Sequence, residues 1–357
     1  MAIANVGYAN VTRTFDAAHV RLLIVDKQVG ALLQSGRIAE ACTVAEQGRE
    51  QAADFPGVAQ LLSAAIAGRA ALGAGRLRNA RSLLEMVVEL FVGDANGFRY
   101  RYLIPLATAL ATCGLTSAAA AQLNALEKER HPSWRFVDNE RELARAWVAA
   151  CQGAVSEAIA CSLSAAEAAS SKGQFAAEVV CLQTATQFGH RSSAPRLREL
   201  QAMVEGPRVG VVSRFAAALA DGNGVELAAV SERFERMGDL VAAVDAAAHA
   251  AIAYRREGLR GSALSCSTRA DALAERCGGA STPALRQASQ RVPLTDRERE
   301  IVTLLGAGLS TRAIAERLTL SVRTVENHIY KAMAKTGVAS REQLAALLPR
   351  PGATASP

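Results

Sequence analysis

Four glycines recur at one interval. Gly36, Gly75, Gly114 and Gly153 stand 39 residues apart, and each is followed five residues on by an alanine: Ala41, Ala80, Ala119 and Ala158. A fixed period of this size marks one supersecondary unit stacked many times, because a single unit cannot bury its own apolar face. The surrounding sequence is rich in Ala and Leu and poor in strand formers, so the unit is a helix pair. Glycine permits the tight reversal between helices, and alanine lets neighbouring helices approach closely. Gly153 to Gly173 and Gly238 to Gly258 are each twenty residues apart, as two helices joined by similar turns require. Pro195 and Gly206-Pro207 disturb the pattern in between. The expectation is an all-α solenoid running from about Phe15 to Cys277, placed in a first domain of residues 1–277.

A different grammar governs residues 294–348. Hydroxyl residues suited to cap the free N–H groups of a first helical turn open four short helices: Thr295, Ser310, Ser321 and Ser340. Glu298 stands three residues after Thr295 and Gln343 three after Ser340, the spacing of a capping box. Gly306 and Gly308 stop the first helix and Gly337 the third. Ile314, Ala315 and Leu318 give the second helix an apolar face, and only Thr319 and Leu320 precede the next cap. Two short helices joined so tightly form a helix-turn-helix, whose second helix can lie in a DNA major groove. On that helix Val325, Ile329, Ala332 and Met333, with His328 beside them, recur as a buried stripe, and Arg323, Glu326, Asn327, Tyr330 and Lys331 form the opposite, polar one. His328 is read as structural.

This segment resembles the LuxR-type helix-turn-helix domain of bacterial transcription regulators. The resemblance rests on Leu294-Thr295, Arg297-Glu298, Leu304-Leu305, Gly308, Ser310, Ile314-Ala315, Leu318, Ser321, Thr324-Val325, His328, Lys335, Gly337-Val338 and Ser340-Arg341. It covers about a sixth of the chain. It departs from the family pattern at Ala332 and Thr336, where larger apolar residues are usual, and at Glu326, often a lysine. The preceding repeats resemble tetratricopeptide repeats with a longer period. They are similar to the helical region of the large ATP-dependent LuxR-type regulators of the maltose-activator kind. Their ATPase is missing: no GxxxxGK[ST] phosphate loop is present, and Gly93-Asp-Ala-Asn-Gly97 lacks the Lys-Ser/Thr that would follow.

Composition supports this organisation. Half of the 357 residues are hydrophobic, which excludes a disordered chain and allows two or more structural units. The net charge is +6, and Val292–Arg350 carries nine basic and six acidic residues, so +3 of it lies in that short piece. Seven scattered cysteines, with no CxxC pair, read as reduced thiols of a cytoplasmic protein. No signal peptide is recognised at the N-terminus. The uncharged stretch Leu103–Leu126 splits at Gly114 and reads as two packed helices rather than a membrane span. No nucleophile elbow, metal triad or paired carboxylate motif stands out, so neither an enzyme nor a cofactor or metal site is expected. Residues 278–293, containing Gly278-Gly279 and Pro293, read as a linker spanning roughly 20–24 Å if flexible, with 284–291 able to form a helix. Residues 349–357 read as a disordered tail.

The candidate site follows. Thr311, Arg312, Thr324, Lys331 and Lys335 suit phosphate oxygens. Arg323, Asn327, Tyr330 and Glu326 suit base edges, Arg preferring guanine and Asn adenine. The family resemblance implies that the fourth helix, with Leu344, Leu347 and Leu348, supplies a dimer contact. Phe98-Arg-Tyr-Arg-Tyr102 is read either as lining a ligand groove or as anchoring a helix start. The partners expected are double-stranded DNA, RNA polymerase, a second copy of the chain, and a small molecule or protein on the repeats. An interaction scaffold with a degenerate helix-turn-helix is the alternative.

Overall fold

A computed structural model of the protein describes residues 18–55, 57–91, 93, 96–289 and 294–346. Among these residues it contains nineteen α-helices, a short 3-10 turn and no strand. The first four helix pairs are α1 (Ala18–Ser35) with α2 (Ile38–Ala52), α3 (Val58–Gly73) with α4 (Leu77–Leu90), α5 (Phe98–Thr112) with α6 (Thr116–Lys128), and α7 (Asp138–Cys151) with α8 (Val155–Ser171). Each periodic glycine sits inside a pair with a positive φ: 86° at Gly36, 71° at Gly75, 77° at Gly114 and 89° at Gly153. The residue after each glycine sends its N–H back to the carbonyl five residues earlier, as in Arg37 to Leu32 and Ala154 to Ala149, both 2.9 Å. This is the Schellman ending, and its left-handed position excludes most side chains. The uncharged stretch Leu103–Leu126 is indeed divided between α5 and α6 at Gly114. No helix among the described residues is long and apolar enough to cross a membrane.

The chain continues through α9 (Phe175–Gln187), α10 (Ala194–Leu200), α11 (Pro207–Asp221), α12 (Gly224–Met237), α13 (Leu240–Arg256) and α14 (Arg260–Arg276). These helices curl back onto the early pairs. Gly36 packs against Arg208 and Met237, Gly75 against Leu240 and Cys277, and Gly114 against Ser281. Leu77 N–H donates to Cys277 O at 2.9 Å and Ser281 N–H to Thr112 O at 2.8 Å. Every residue of α13 from Val241 to Ala253 is buried, as a helix apolar on all sides must be.

Of the two readings of Phe98-Arg-Tyr-Arg-Tyr102, the structure favours the helix start: Phe98 opens α5, and Tyr100, Arg101 and Tyr102 are core residues, all three 1–2% exposed. Arg101 is held by Glu140 at 2.9 Å and lies 3.8 Å from Asp26, and Arg69 bridges the same two carboxylates at 3.0 Å each. The stretch expected as a linker is docked rather than tethering freely. Ala280, Thr282, Ala284 and Ala288 are buried, α15 (Pro283–Ser289) packs on α13, and Arg286 donates to Ala150 O at 2.8 Å. Small apolar residues at helical spacing, Arg286 and the bond from Arg255 to Ala288 O hold it in place. Residues 290–293 and the tail 349–357 lie outside the described residues.

The last four helices are α16 (Asp296–Gly306), α17 (Thr311–Arg317), α18 (Val322–Thr336) and α19 (Arg341–Ala346). All four hydroxyl caps form. Thr295 and Glu298 make the full capping box, Ser310 accepts from Ala313 N–H at 3.2 Å, Ser321 from Thr324 N–H at 3.1 Å, and Ser340 from Gln343 N–H at 3.2 Å. Gln343 returns its bond to Ala339 N–H, one residue before the position a capping box would use. Ile301, Leu304, Ile314, Leu318, Val325, Ile329 and Ala332 join the buried core.

Candidate DNA-contacting surface

The orientation of α18 is set by its inner face. Val325, Ile329 and Ala332 are buried at successive turns, so the residues a half-turn away must point outward. Arg323, Glu326, Asn327, Tyr330 and Lys331 are all exposed, Tyr330 at 75%. Their spacing of three and four residues places them on one stripe. Neither Arg323 nor Lys331 forms an ion pair among the described residues. Gly337, with φ 71°, ends the helix. The turn into α18 holds Thr319 at φ 54°, a left-handed conformation a β-branched residue rarely takes. This strained turn brings α17 and α18 together without an intervening loop.

The flanking residues fall into two groups. Arg312 is exposed and pairs within its helix with Glu316 at 3.3 Å, a solvent-screened contact that holds it weakly. Thr324 lies 2.7 Å from Ser321 across the helix start, and half-buried Thr311 accepts from Arg341 Nη2 at 3.0 Å. Lys335 does not stand free as a phosphate contact: its ammonium is bound by both carboxylate oxygens of Glu298, at 2.7 and 2.9 Å. Burial pushes the Glu298 carboxyl up, but the hydrogen bonds from Lys335 and Thr295 outweigh it and hold it below the usual range. Lys335 thus ties the end of α18 to the start of α16. Leu344 is likewise corrected from a dimer contact to a core residue, 0% exposed and packed inside its own domain; Leu347 and Leu348 lie outside the described residues. His328 is half-buried, and its Nδ1 has no hydrogen-bond partner among the described residues.

The opposite side of this domain is joined to the repeats, which sequence reasoning did not foresee. Glu300 accepts the Ser156 N–H at 2.6 Å and the Ser156 hydroxyl at 2.8 Å. A carboxylate from α16 therefore caps the N-terminus of α8, where orphan N–H groups and the helix dipole favour negative charge. Arg297 donates to Glu300 at 2.6 Å and to Ser156 Oγ at 2.7 Å. Arg317 donates to Glu157 at 2.8 Å and also to Gln152. Gly153, the fourth periodic glycine, lies so close to Thr303 that a Cβ would collide with it. Partners about 140–160 positions apart leave no local spacing signal.

Four capped helices, the second and third joined by a tight turn and the third presenting a polar stripe, define a helix-turn-helix domain. Residues 292–348 match the family described as bacterial regulatory proteins, luxR family. Spore germination protein GerE of Bacillus subtilis is 48% identical over 59 residues, covering 16% of this chain and 80% of that protein. The DNA-binding transcriptional activator DevR/DosR of Mycobacterium tuberculosis is 31% identical over 147 residues, 36% of this chain and 67% of that protein. A putative HTH-type transcriptional regulator of Mycobacterium bovis is 51% identical over 51 residues, 14% of this chain, and there the match spans 6% of the relative's length. The chain belongs to the LuxR family of bacterial regulatory proteins.

Proposed function

We propose that this chain is a DNA-binding transcription regulator whose helix α18 enters the major groove. The exposed stripe of α18 carries the reading: a helix fixed by Val325, Ile329 and Ala332 holds Arg323, Asn327, Tyr330 and Lys331 outward. Arg323 and Asn327 offer paired donors or donor and acceptor to base edges, and Glu326 can accept from cytosine. Lys331, Arg312, Thr311 and Thr324 lie on or beside the same surface and serve phosphate oxygens. Its relatives, a DNA-binding transcriptional activator and a putative HTH-type transcriptional regulator, support the same activity.

In this reading the repeats are the sensor, receiving a small molecule or protein that alters DNA occupancy. Two copies bind as a homodimer on two half-sites, through the segment after α19 that carries Leu347 and Leu348, and RNA polymerase is the downstream partner. Selection of genomic duplex fragments by the full-length chain tests the proposal and supplies the operator. Replacing Asn327 by Ala should then relax preference at one base position, costing about 1–3 kcal/mol there. Selection that returns no enriched sequence would count against it.

A further inference from the structure

Where α16 lies against the repeats, the two parts enclose a cavity of about 470 Å³. That volume falls within the range of about 300–1,000 Å³ of sites that hold small organic ligands, which favour domain interfaces. Its walls are of two kinds. Phe188, Leu219, Leu227 and Ile252 supply an apolar surface, and Phe188 is fixed edge-on against Trp147 with ring centroids 4.8 Å apart.

The polar wall is arginine. Arg191, Arg256 and Arg286 come from the repeat side, and Arg297 and Arg299 from α16. Among the described residues only two carboxylates, Asp296 and Glu300, line the cavity. Glu300 is engaged by Ser156 and Arg297, and Asp296 accepts from Gln287 at 2.5 Å and lies 3.7 Å from Arg256. Five guanidiniums against two carboxylates leave an excess of three positive charges beside an apolar floor. Arg191 is exposed and has no ion pair among the described residues. His249, also in the wall, is neutral at pH 7, because burial pushes it down to about 4, so it does not change this count.

We infer that the cavity binds an amphipathic organic anion, its ring or acyl body on the Phe188–Ile252 floor and its carboxylate among the arginines. Guanidinium forks match carboxylate geometry, and the low-dielectric floor strengthens that contact. Because α16 forms one wall, such a ligand touches both parts of the chain. It therefore favours one docking arrangement over others and couples to DNA affinity. The coupling rests on the DNA-binding reading above, whereas the binding itself does not.

The test is calorimetric titration of the full-length chain with 1-naphthoate and, separately, with 1-naphthalenemethanol, which has the same rings without the charge. One naphthoate per chain is expected, bound about tenfold or more tightly than the alcohol. Arg191→Gln and Arg299→Gln should each lose about tenfold for naphthoate and little for the alcohol. Arg191 is on the surface, so its variant stays folded even if Arg299→Gln does not. Naphthoate bound no better than the alcohol, or equally by Arg191→Gln, overturns the site. Duplex binding is measured on the same samples. Naphthoate binding by a chain that ignores DNA supports the site and sinks the regulator reading, while loss of naphthoate binding with duplex binding intact does the reverse.

Discussion

The buried arginines of the repeat region and Arg323 on the C-terminal domain's outer face do opposite things. Arg101 is 1% exposed and committed to Glu140 and Asp26, and Arg208 is buried against Asp239 at 2.7 Å and Gln183 at 2.6 Å. Arg323, on α18, stands in solvent with no ion pair among the described residues. In the first region charge fixes how helices stack, because a buried ion stripped of its partner is costly. In the second it is left for something outside the chain, since an unpaired surface charge costs almost nothing until a ligand meets it. The same residue type is therefore structural or functional according to which helix face carries it and what packs there.

Removing the two kinds of arginine should break this comparison open most visibly. Arg101→Ala leaves Asp26 and Glu140 short of a buried partner and should destabilise the chain by about 3–5 kcal/mol in urea denaturation. Arg323→Ala should stay within about 0.5 kcal/mol. Equal losses would mean that α18 is packed rather than presented.

A smaller effect separates the docked turn from a free one. Gly153 and Gly173 both have positive φ, 89° and 67°, but only Gly153 faces a neighbour, Thr303. Alanine at either position carries the left-handed backbone cost of about 1–2 kcal/mol. Gly153→Ala should in addition push α16 away, read as faster amide exchange at Ser156 that Gly173→Ala does not cause. Indistinguishable exchange in the two variants would argue against the docked arrangement.

A further effect is pH-dependent and confined to the repeats. Burial pushes the Asp245 carboxyl up to about 7, above its unfolded value, so the folded state holds an extra proton between about 4 and 7. The associated stability is complete below the unfolded value and is lost as pH rises through 7. Asp245→Asn keeps the site neutral, so its melting temperature relative to the parent should be higher at pH 8 than at pH 5. A difference that does not change with pH would mean Asp245 is already ionised.

Much of this architecture could be read before any coordinates. The 39-residue spacing located four helix reversals because a Schellman ending needs glycine at one position. The hydroxyl caps located four helix starts because the bonds close within three residues. Such signals are local, and so they are legible. The fate of Arg101, Leu344 and Lys335 was not, because each depends on a partner from another helix: Glu140, the domain core and Glu298. Lys335 and Leu344 match the exposed-contact pattern by spacing alone, and packing reassigns both. The docking of Glu300 on Ser156 is 144 residues removed from any sequence clue. For α18 the polar stripe was read correctly as outward, since its burial pattern is set by its own periodicity.

The central claim is that the outward stripe of α18 meets DNA. The most direct measurement is the salt dependence of duplex affinity for the parent chain and for Lys331→Ala, with circular dichroism confirming an unchanged fold. The account predicts weaker binding of Lys331→Ala on every sequence and a log–log salt slope shallower by about 1. Identical affinity and slope for the two proteins would contradict it.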